Sequence, residues 1–258
     1  MDFSVLVPYD LVPWQWAAWI GFGICIGLTK TGFSSMTAIL VPVVAMIFDA
    51  KESTGINLPL LCFADVLAVL YYHNHAEWKY IFKLLPWSLA GFGVALFVDK
   101  LVPVQAFRYL MGGCILAGLI VMIINDLRGK EKPLPSAWWF SAIFGIAGGF
   151  STMIGNVAGP IMAVFLLSMR LPKNSYVGTT AWFFLIVNYL KLPIQILFWN
   201  NITVKTLLFD LTLVPVIIFG AALGIFLIKR IPEFVYRKTI MVLTLISTVL
   251  LFIDFSKF

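Results

Sequence analysis

Thr29-Lys30-Thr31-Gly32 interrupts a hydrophobic stretch that runs from Trp14 to Phe48. A second stretch, from Trp138 to Met169, is interrupted at the matching position by Gly148-Gly149-Phe150-Ser151-Thr152-Met153-Ile154-Gly155-Asn156. Backbone that leaves a helix at membrane depth must be buried in protein or line a wet cavity. Interrupted segments at equivalent positions of two halves therefore indicate a substrate site of the kind found in transporters.

The composition is that of an integral membrane protein. Hydrophobic residues make up 61% of the 258 residues, charged residues make up 12%, and the mean hydropathy is +0.99. Further apolar runs long enough to cross about 30 Å of hydrocarbon are predicted as helices at about 55–73, 81–98, 104–124, 179–199, 206–228 and 235–253. Enzyme signatures, a Walker lysine loop and a metal-ligand spacing are absent from the sequence. We therefore predict a non-enzymatic, multi-pass protein with no catalytic residues, cofactor or metal, and no nucleic-acid partner.

Positive charge chooses between two topologies, because cytoplasmic loops carry the excess of Lys and Arg. If each interrupted segment crosses once, the two sides receive nine and seven of these residues. If each returns to its starting side, the division becomes eleven and five. We therefore predict broken helical hairpins at 14–48 and 138–169, either re-entrant or made of two short spans. Both termini are then predicted outside.

The predicted fold class is all-α, with two inverted-topology repeats that each contain one broken hairpin and three transmembrane helices. The first repeat is placed at 1–125, a cytoplasmic linker at 126–136 and the second repeat at 137–258. Short matches support the repeat, since Phe92-Gly93-Val94-Ala95-Leu96 recurs as Phe219-Gly220-Ala221-Ala222-Leu223.

Three ionisable residues stand out within the predicted membrane segments, where each is costly unless it is paired or lies in a wet cavity. They are Lys30, Asp65 and Lys191, although either lysine could instead snorkel to an interface. Asp210 is predicted as an interface charge. The candidate substrate-binding residues are Lys30, Thr31, Ser34, Ser35, Thr152, Asn156, Thr180, Asn188 and Lys191. Two lysines, several hydroxyls and helix N-termini favour a small anion, and Asp65 is assigned to coupling or to an ion pair.

The chain resembles the sulfite exporter TauE/SafE family, also described as sulfonate-uptake-type permeases, over about residues 16 to 255. The resemblance rests on Gly27-Leu28-Thr29-Lys30-Thr31-Gly32 leading to Val41-Pro42, and on Gly145-Ile146-Ala147-Gly148-Gly149 leading to Gly159-Pro160. It implies a permease of the bacterial inner membrane that moves small sulfur-containing anions. Protons are one candidate for the coupling ion. The first break of the family is usually a run of glycines, so the lysine and serines of this chain change the size and charge of the site.

The predicted function is a secondary transporter of small anions. The first candidate substrates are sulfur oxyanions or organosulfonates such as sulfite, thiosulfate or sulfoacetate. Alternating access would occur at a midplane site between the two hairpins. An anion-selective channel and a non-transporting membrane sensor or enzyme are the alternatives. Direction of transport, coupling ion and oligomeric state are left open by the sequence.

Overall fold

The structure is a computed structural model that describes residues 11–37, 50–98 and 138–252. Single residues are also described, namely Tyr9, Leu40, Val44, Ile47, Phe48, Leu116 and Ile120. Within this part of the chain every regular element is helical, which confirms the all-α prediction there. The predicted helix 104–124, the linker 126–136, both chain ends and most of the second arm of the first hairpin, including Val41-Pro42, lie outside the described residues.

The first half contributes three described helices and two short 3-10 turns, of which the second covers His73–His75. Helix α1 covers Pro13–Thr31, a 3-10 turn covers Ser34–Met36, α2 covers Ala50–Tyr72 and α3 covers Trp78–Val98. Proline suits the first turn of α1, because the N–H that it lacks would have no partner inside the helix. At its other end α1 stops at Thr31, and the first break begins at Gly32.

The second half contributes six described helices. They are α4 (Trp138–Gly155), α5 (Gly159–Ser168), α6 (Lys173–Ile194), α7 (Val204–Asp210), α8 (Val214–Arg230) and α9 (Glu233–Phe252). Helix α6 continues as a wide turn over Gln195–Trp199. The helix predicted over 206–228 is in fact divided by a 3-10 turn at Leu211–Leu213. Pro215 explains the division, since its ring would clash with the carbonyl of a regular preceding turn.

The second hairpin is asymmetric. Its first arm, α4, has 18 residues and a length of about 27 Å, whereas α5 has 10 residues and a length of about 15 Å. The arms meet at Asn156, which has a positive φ of 56°, and Pro160 lies in the first turn of α5. The predicted break is therefore shorter than expected, because residues 148–155 belong to α4. Only residues 156–158 separate a helix of nearly membrane length from one of about half that length.

Five described helical segments are long and apolar enough to cross a membrane, judged by length and composition. They are Ser53–His75, Trp78–Phe97, Trp138–Gly155, Lys173–Trp199 and Val204–Arg230. Large apolar side chains such as Phe97, Leu197 and Phe198 project from them with more than two thirds of their surface exposed. A surface of this kind is suited to lipid rather than to water, so the prediction of a multi-pass membrane protein is confirmed.

Two helix crossings bring backbone against backbone through glycine. A Cβ atom added at Gly27 of α1 would collide with the carbonyl oxygen of Ile217 on α8. A Cβ added at Gly149 of α4 would likewise collide with the carbonyl oxygen of Ser88 on α3. Small residues permit this close approach between membrane helices. The two crossings fix the ends of α1 and α4, which are the two sides of the candidate site.

Candidate functional site

Lys30 and Asp65 form a buried ion pair between the end of α1 and the middle of α2. The Lys30 Nζ atom lies 2.8 Å from Asp65 Oδ1, and the two side chains are 5% and 0% exposed. The ammonium group also lies 4.5 Å from the ring centroid of Phe184 on α6, where a cation is attracted to the face of the ring. Lys30 is therefore directed into the protein and does not snorkel to a surface.

Asn188 joins this pair to a second lysine. Its Nδ2 atom donates to Asp65 Oδ2 over 2.6 Å, and its Oδ1 atom accepts from Lys191 Nζ over 3.3 Å. Both Asn188 and Lys191 are on α6, one helical turn apart and fully buried. The amide thus has a fixed orientation, with its donor toward the carboxylate and its acceptor toward the ammonium.

Lys191 has three neutral acceptors and no carboxylate partner among the described residues. Besides Asn188 Oδ1, its Nζ atom donates to Thr152 Oγ1 over 3.1 Å and to Asn156 Oδ1 over 2.5 Å. A lysine ammonium carries three N–H donors, so the three acceptors match the charged form. Helix α6 therefore directs the Lys191 amine at the second helix break.

Lys191 contacts Thr152 and Asn156 only through their side-chain oxygens, so the hydrogen-bond donors of these two side chains stay free. Because the Thr152 oxygen accepts from Lys191, its own hydroxyl proton remains available for another acceptor. Asn156 uses its oxygen in the same way, and its buried Nδ2 atom has no hydrogen-bond partner in the described structure. A buried, unused N–H donor is costly unless a ligand or water accepts from it.

These donors surround a small cavity between the two breaks. Its lining residues come from α1, α2, α4, α5, α6 and the turn after α1, and they are Lys30, Thr37, Leu61, Thr152, Asn156, Gly159, Phe184 and Asn188. Its volume of about 10 Å³ is close to the minimum for one water molecule. Gly159 is the first residue of α5, so the positive end of that helix dipole also faces the cavity. A polyatomic anion would fit only after the helix ends move apart.

The chain matches the family model described as "Sulfite exporter TauE/SafE" over residues 18–251, nearly its whole length. The chain belongs to the sulfite exporter TauE/SafE family. This assignment confirms the family predicted from the sequence motifs, and it indicates a membrane transporter of sulfur compounds. Neither the curated proteins nor the solved structures contain a significant match to the chain.

The two breaks of this TauE/SafE protein bring together a large part of the predicted site. One network of direct contacts connects Lys30, Asp65, Asn188, Lys191, Thr152 and Asn156. The sequence assigns Asp65 to coupling or to an ion pair, and Asn188 to substrate binding. In the structure the two side chains are hydrogen-bonded to one another.

Other predicted ligands of the TauE/SafE site have different partners. The Thr31 hydroxyl donates to the carbonyls of Gly27 and Ala221, 2.9 and 3.1 Å away, at the crossing with α8. The Thr180 hydroxyl donates to the Tyr176 carbonyl one turn earlier. Neither residue lines the cavity, and a direct substrate contact for them stays a prediction.

The tip of the first break is held by two tyrosines. The Tyr236 hydroxyl donates to the Gly32 carbonyl over 2.7 Å, and the hydroxyls of Tyr176 and Ser34 are 3.1 Å apart. Ser35 is fully buried, and its own hydroxyl has no partner in the described structure. Ser34 and Ser35 thus lie beside the cavity of the TauE/SafE protein without lining it.

The candidate residues from the sequence did not include Leu61, Gly159 or Phe184, which line the cavity. Phe184 is four residues before Asn188, so helical periodicity placed both on one face. Thr37 follows the break, but its hydroxyl donates to the Ser34 carbonyl over 2.8 Å. It can therefore only accept a hydrogen bond from a ligand.

Asp210 lies apart from the network and is not the interface charge that was predicted. It is 5% exposed, and neither carboxylate oxygen has a hydrogen-bond partner in the described structure. It lines a separate apolar cavity of about 290 Å³ between α2 and the α7–α8 segment. Asp210 thus provides a second buried carboxylate in this TauE/SafE protein, with which Asp65 can be compared.

Proposed function

We propose that this protein is a secondary transporter of small anions, with sulfur oxyanions or organosulfonates such as sulfite, thiosulfate or sulfoacetate as first candidates. The observation that carries the proposal is the convergence of Lys30, Thr152 and Asn156 on one buried cavity. Their free donors, with Lys191 behind them, provide positive charge and N–H or O–H groups without a carboxylate directed at the ligand. Tetrahedral oxyanions are suited to such a set of donors.

The substrate would bind between the two breaks. Lys30 would share its ammonium between Asp65 and the anion, while the Asn156 amide and the Thr152 hydroxyl would donate to substrate oxygens. The N-terminus of α5 would add unpaired backbone N–H groups, as it does in other anion sites at helix ends. Asn188 and Lys191 would fix which atoms of the neighbouring side chains face the cavity.

The glycine crossings support two repeats related by inverted topology. Gly27 meets Ile217, and Gly220 meets the carbonyl of Ile24. Gly149 meets Ser88, and Gly91 meets the carbonyl of Ile146 in the same relative positions. Each crossing joins the first hairpin arm of one proposed half to a helix of the other half. Gly91 rather than Gly93 is therefore the better counterpart of Gly220, a shift of two residues from the sequence match.

Alternating access would follow from relative movement of these halves. The closed cavity must open toward one side at a time, with the hairpin ends as moving parts, as in other repeat-based transporters. The positive residues beside Tyr176 and Tyr236, such as Lys173 and Arg237, favour the cytoplasm as the side on which the tyrosines hold the first break. We place the protein in the bacterial inner membrane with both termini outside.

Ligand-induced thermal stabilisation of the purified protein tests the anion site. The panel contains sulfite, thiosulfate, sulfoacetate, taurine, sulfate, simple carboxylates and simple cations. A ligand at a hundred times its dissociation constant adds about 2.7 kcal/mol to the free energy of unfolding. We expect stabilisation by a sulfur anion, and we expect Lys30→Ala to abolish it.

Two further variants make that result specific. Asn156→Gly removes the free amide while permitting the positive φ, and we expect it to reduce the anion-induced shift. Asp210→Asn removes a buried carboxylate that does not line the cavity and should leave the shift unchanged. Stabilisation by cations alone, or by anions equally in the Lys30 and Asn156 variants, would overturn the proposed site.

A further inference from the structure

We propose that the fixed charge of the buried network sets the valence of the substrate. A monoanion binds alone, whereas a dianion binds together with one proton on Asp65. This inference rests on the proposed transport function, and it names the charge class and the coupling ion of the same site.

The network contains one more positive than negative side chain. Lys30 is paired with Asp65, and Lys191 is surrounded by three neutral oxygens. No second carboxylate contacts the network among the residues that the structure describes. With both lysines protonated, the network therefore carries a net charge equivalent to one cation.

Burial makes that imbalance costly. Lys191 and Asp65 are both 0% exposed, and an uncompensated charge within a membrane protein is strongly disfavoured. One bound monoanion would neutralise the network. One bound dianion would leave it with an excess negative charge of the same size, which a single proton would remove.

The geometry indicates where that proton binds. Lys30 lines the cavity and also contacts Asp65 Oδ1, so a dianion in the cavity competes with the carboxylate for the same ammonium. Asp65 Oδ2 keeps the hydrogen bond from Asn188, which leaves Oδ1 as the oxygen that loses its partner. One proton from water binds to Oδ1, and no covalent bond of the substrate forms or breaks.

The neighbours of Asp65 support this assignment. The titratable groups that interact electrostatically with it are Lys30 from α1, Lys191 and Tyr189 from α6, and Cys62 on its own helix. The two lysines pair with other oxygens or with the substrate, and the phenol and thiol are neutral proton donors. Among the described neighbours, Asp65 is therefore the group whose protonation balances a second negative charge.

Transport in proteoliposomes tests the inference with two probes of fixed charge at neutral pH. Methanesulfonate is the monoanion and thiosulfate is the dianion. Substrate flux is measured with isotope, charge movement from the reversal potential under a potassium–valinomycin clamp, and proton movement with an internal pH dye. We expect one negative charge per molecule for both anions, with one proton accompanying thiosulfate and none accompanying methanesulfonate.

A substitution separates Asp65 from other proton carriers. In Asp65→Asn the network gains a full positive charge, so thiosulfate should move two negative charges and no proton. Asp210→Asn serves as the matched control and should behave as the wild type does. The wild-type comparison of the two anions decides the question if Asp65→Asn does not fold.

The contrary results are distinct. Equal proton movement with both anions, or two negative charges per thiosulfate in the wild type, would overturn the valence rule while leaving anion transport intact. Absence of wild-type flux for both anions would overturn the proposed function, and the valence rule with it.

Discussion

Removal of both charges from the Lys30–Asp65 pair is predicted to destabilise the protein by clearly less than the sum of the two single removals. Asp65→Asn leaves the Lys30 ammonium buried at 5% exposure, with the cation–π contact to the Phe184 ring as its remaining wild-type contact in the described structure. Lys30→Met leaves a fully buried carboxylate that keeps only the amide of Asn188. Breaking a buried pair from one side costs about 3–5 kcal/mol, because the other charge stays uncompensated.

The double variant measures the coupling directly. Lys30→Met with Asp65→Asn leaves no unpaired charge from this pair, so its free energy of unfolding should exceed the additive expectation by about 2–3 kcal/mol. Equilibrium unfolding in mixed micelles of fixed composition, without added anions, provides the four values of the cycle. Lys30→Met with Asp210→Asn is the control and should be additive. Additivity of the Lys30 and Asp65 substitutions to within about 0.5 kcal/mol would refute the buried pair.

Three other predictions concern packing, binding and the first break. Gly27→Ala should lower stability by about 1–3 kcal/mol in thermal unfolding, because the added Cβ meets the backbone of α8. Gly21→Ala is the control and should leave stability unchanged, because its Cβ meets open space; equal effects would contradict the crossing. Asn156→Gly should weaken thiosulfate binding at least tenfold in calorimetry, the equivalent of about 1.4 kcal/mol for a bond to a charged ligand. Thr244→Val, which removes a hydroxyl outside the cavity lining, should leave the dissociation constant unchanged; the reverse order would exclude the amide as a ligand. Tyr236→Phe removes the donor to the Gly32 carbonyl and should speed amide hydrogen exchange over residues 32–36; unchanged exchange would show that this bond does not hold the break.

The helices were predictable because membrane segments have a strong compositional signal. The positions of the breaks were also predictable, but not their extent, since residues 29–31 and 148–155 are helical. Polar residues are rare in such segments, so Lys30, Asp65 and Lys191 were conspicuous in the sequence as candidate site residues. The division between α7 and α8 had a visible signal in Pro215, which lies inside an otherwise continuous apolar run. The unequal arms of the second hairpin had no comparable signal, since apolar residues continue through both arms.

The roles of the hydroxyl residues could not be predicted in the same way. Thr31 and Thr152 both lie near a break, yet Thr31 faces α8 while Thr152 lines the cavity. The difference depends on the rotation of each helix at its crossing, which is fixed by contacts remote in sequence. Asp210 illustrates the same limit, because its burial depends on the packing of α7 against α2.

Counterflow in proteoliposomes distinguishes transport through this site from channel conduction and from binding alone. Vesicles are loaded with unlabelled thiosulfate and diluted into a trace of labelled thiosulfate. The wild type, Asp210→Asn and Asn156→Gly are compared at equal protein density. A transporter with the proposed site predicts transient, saturable accumulation of label in the first two proteins and little in the third. Label that equilibrates without overshoot or saturation would indicate a channel. Binding of thiosulfate without any flux would contradict transport and would indicate a sensor.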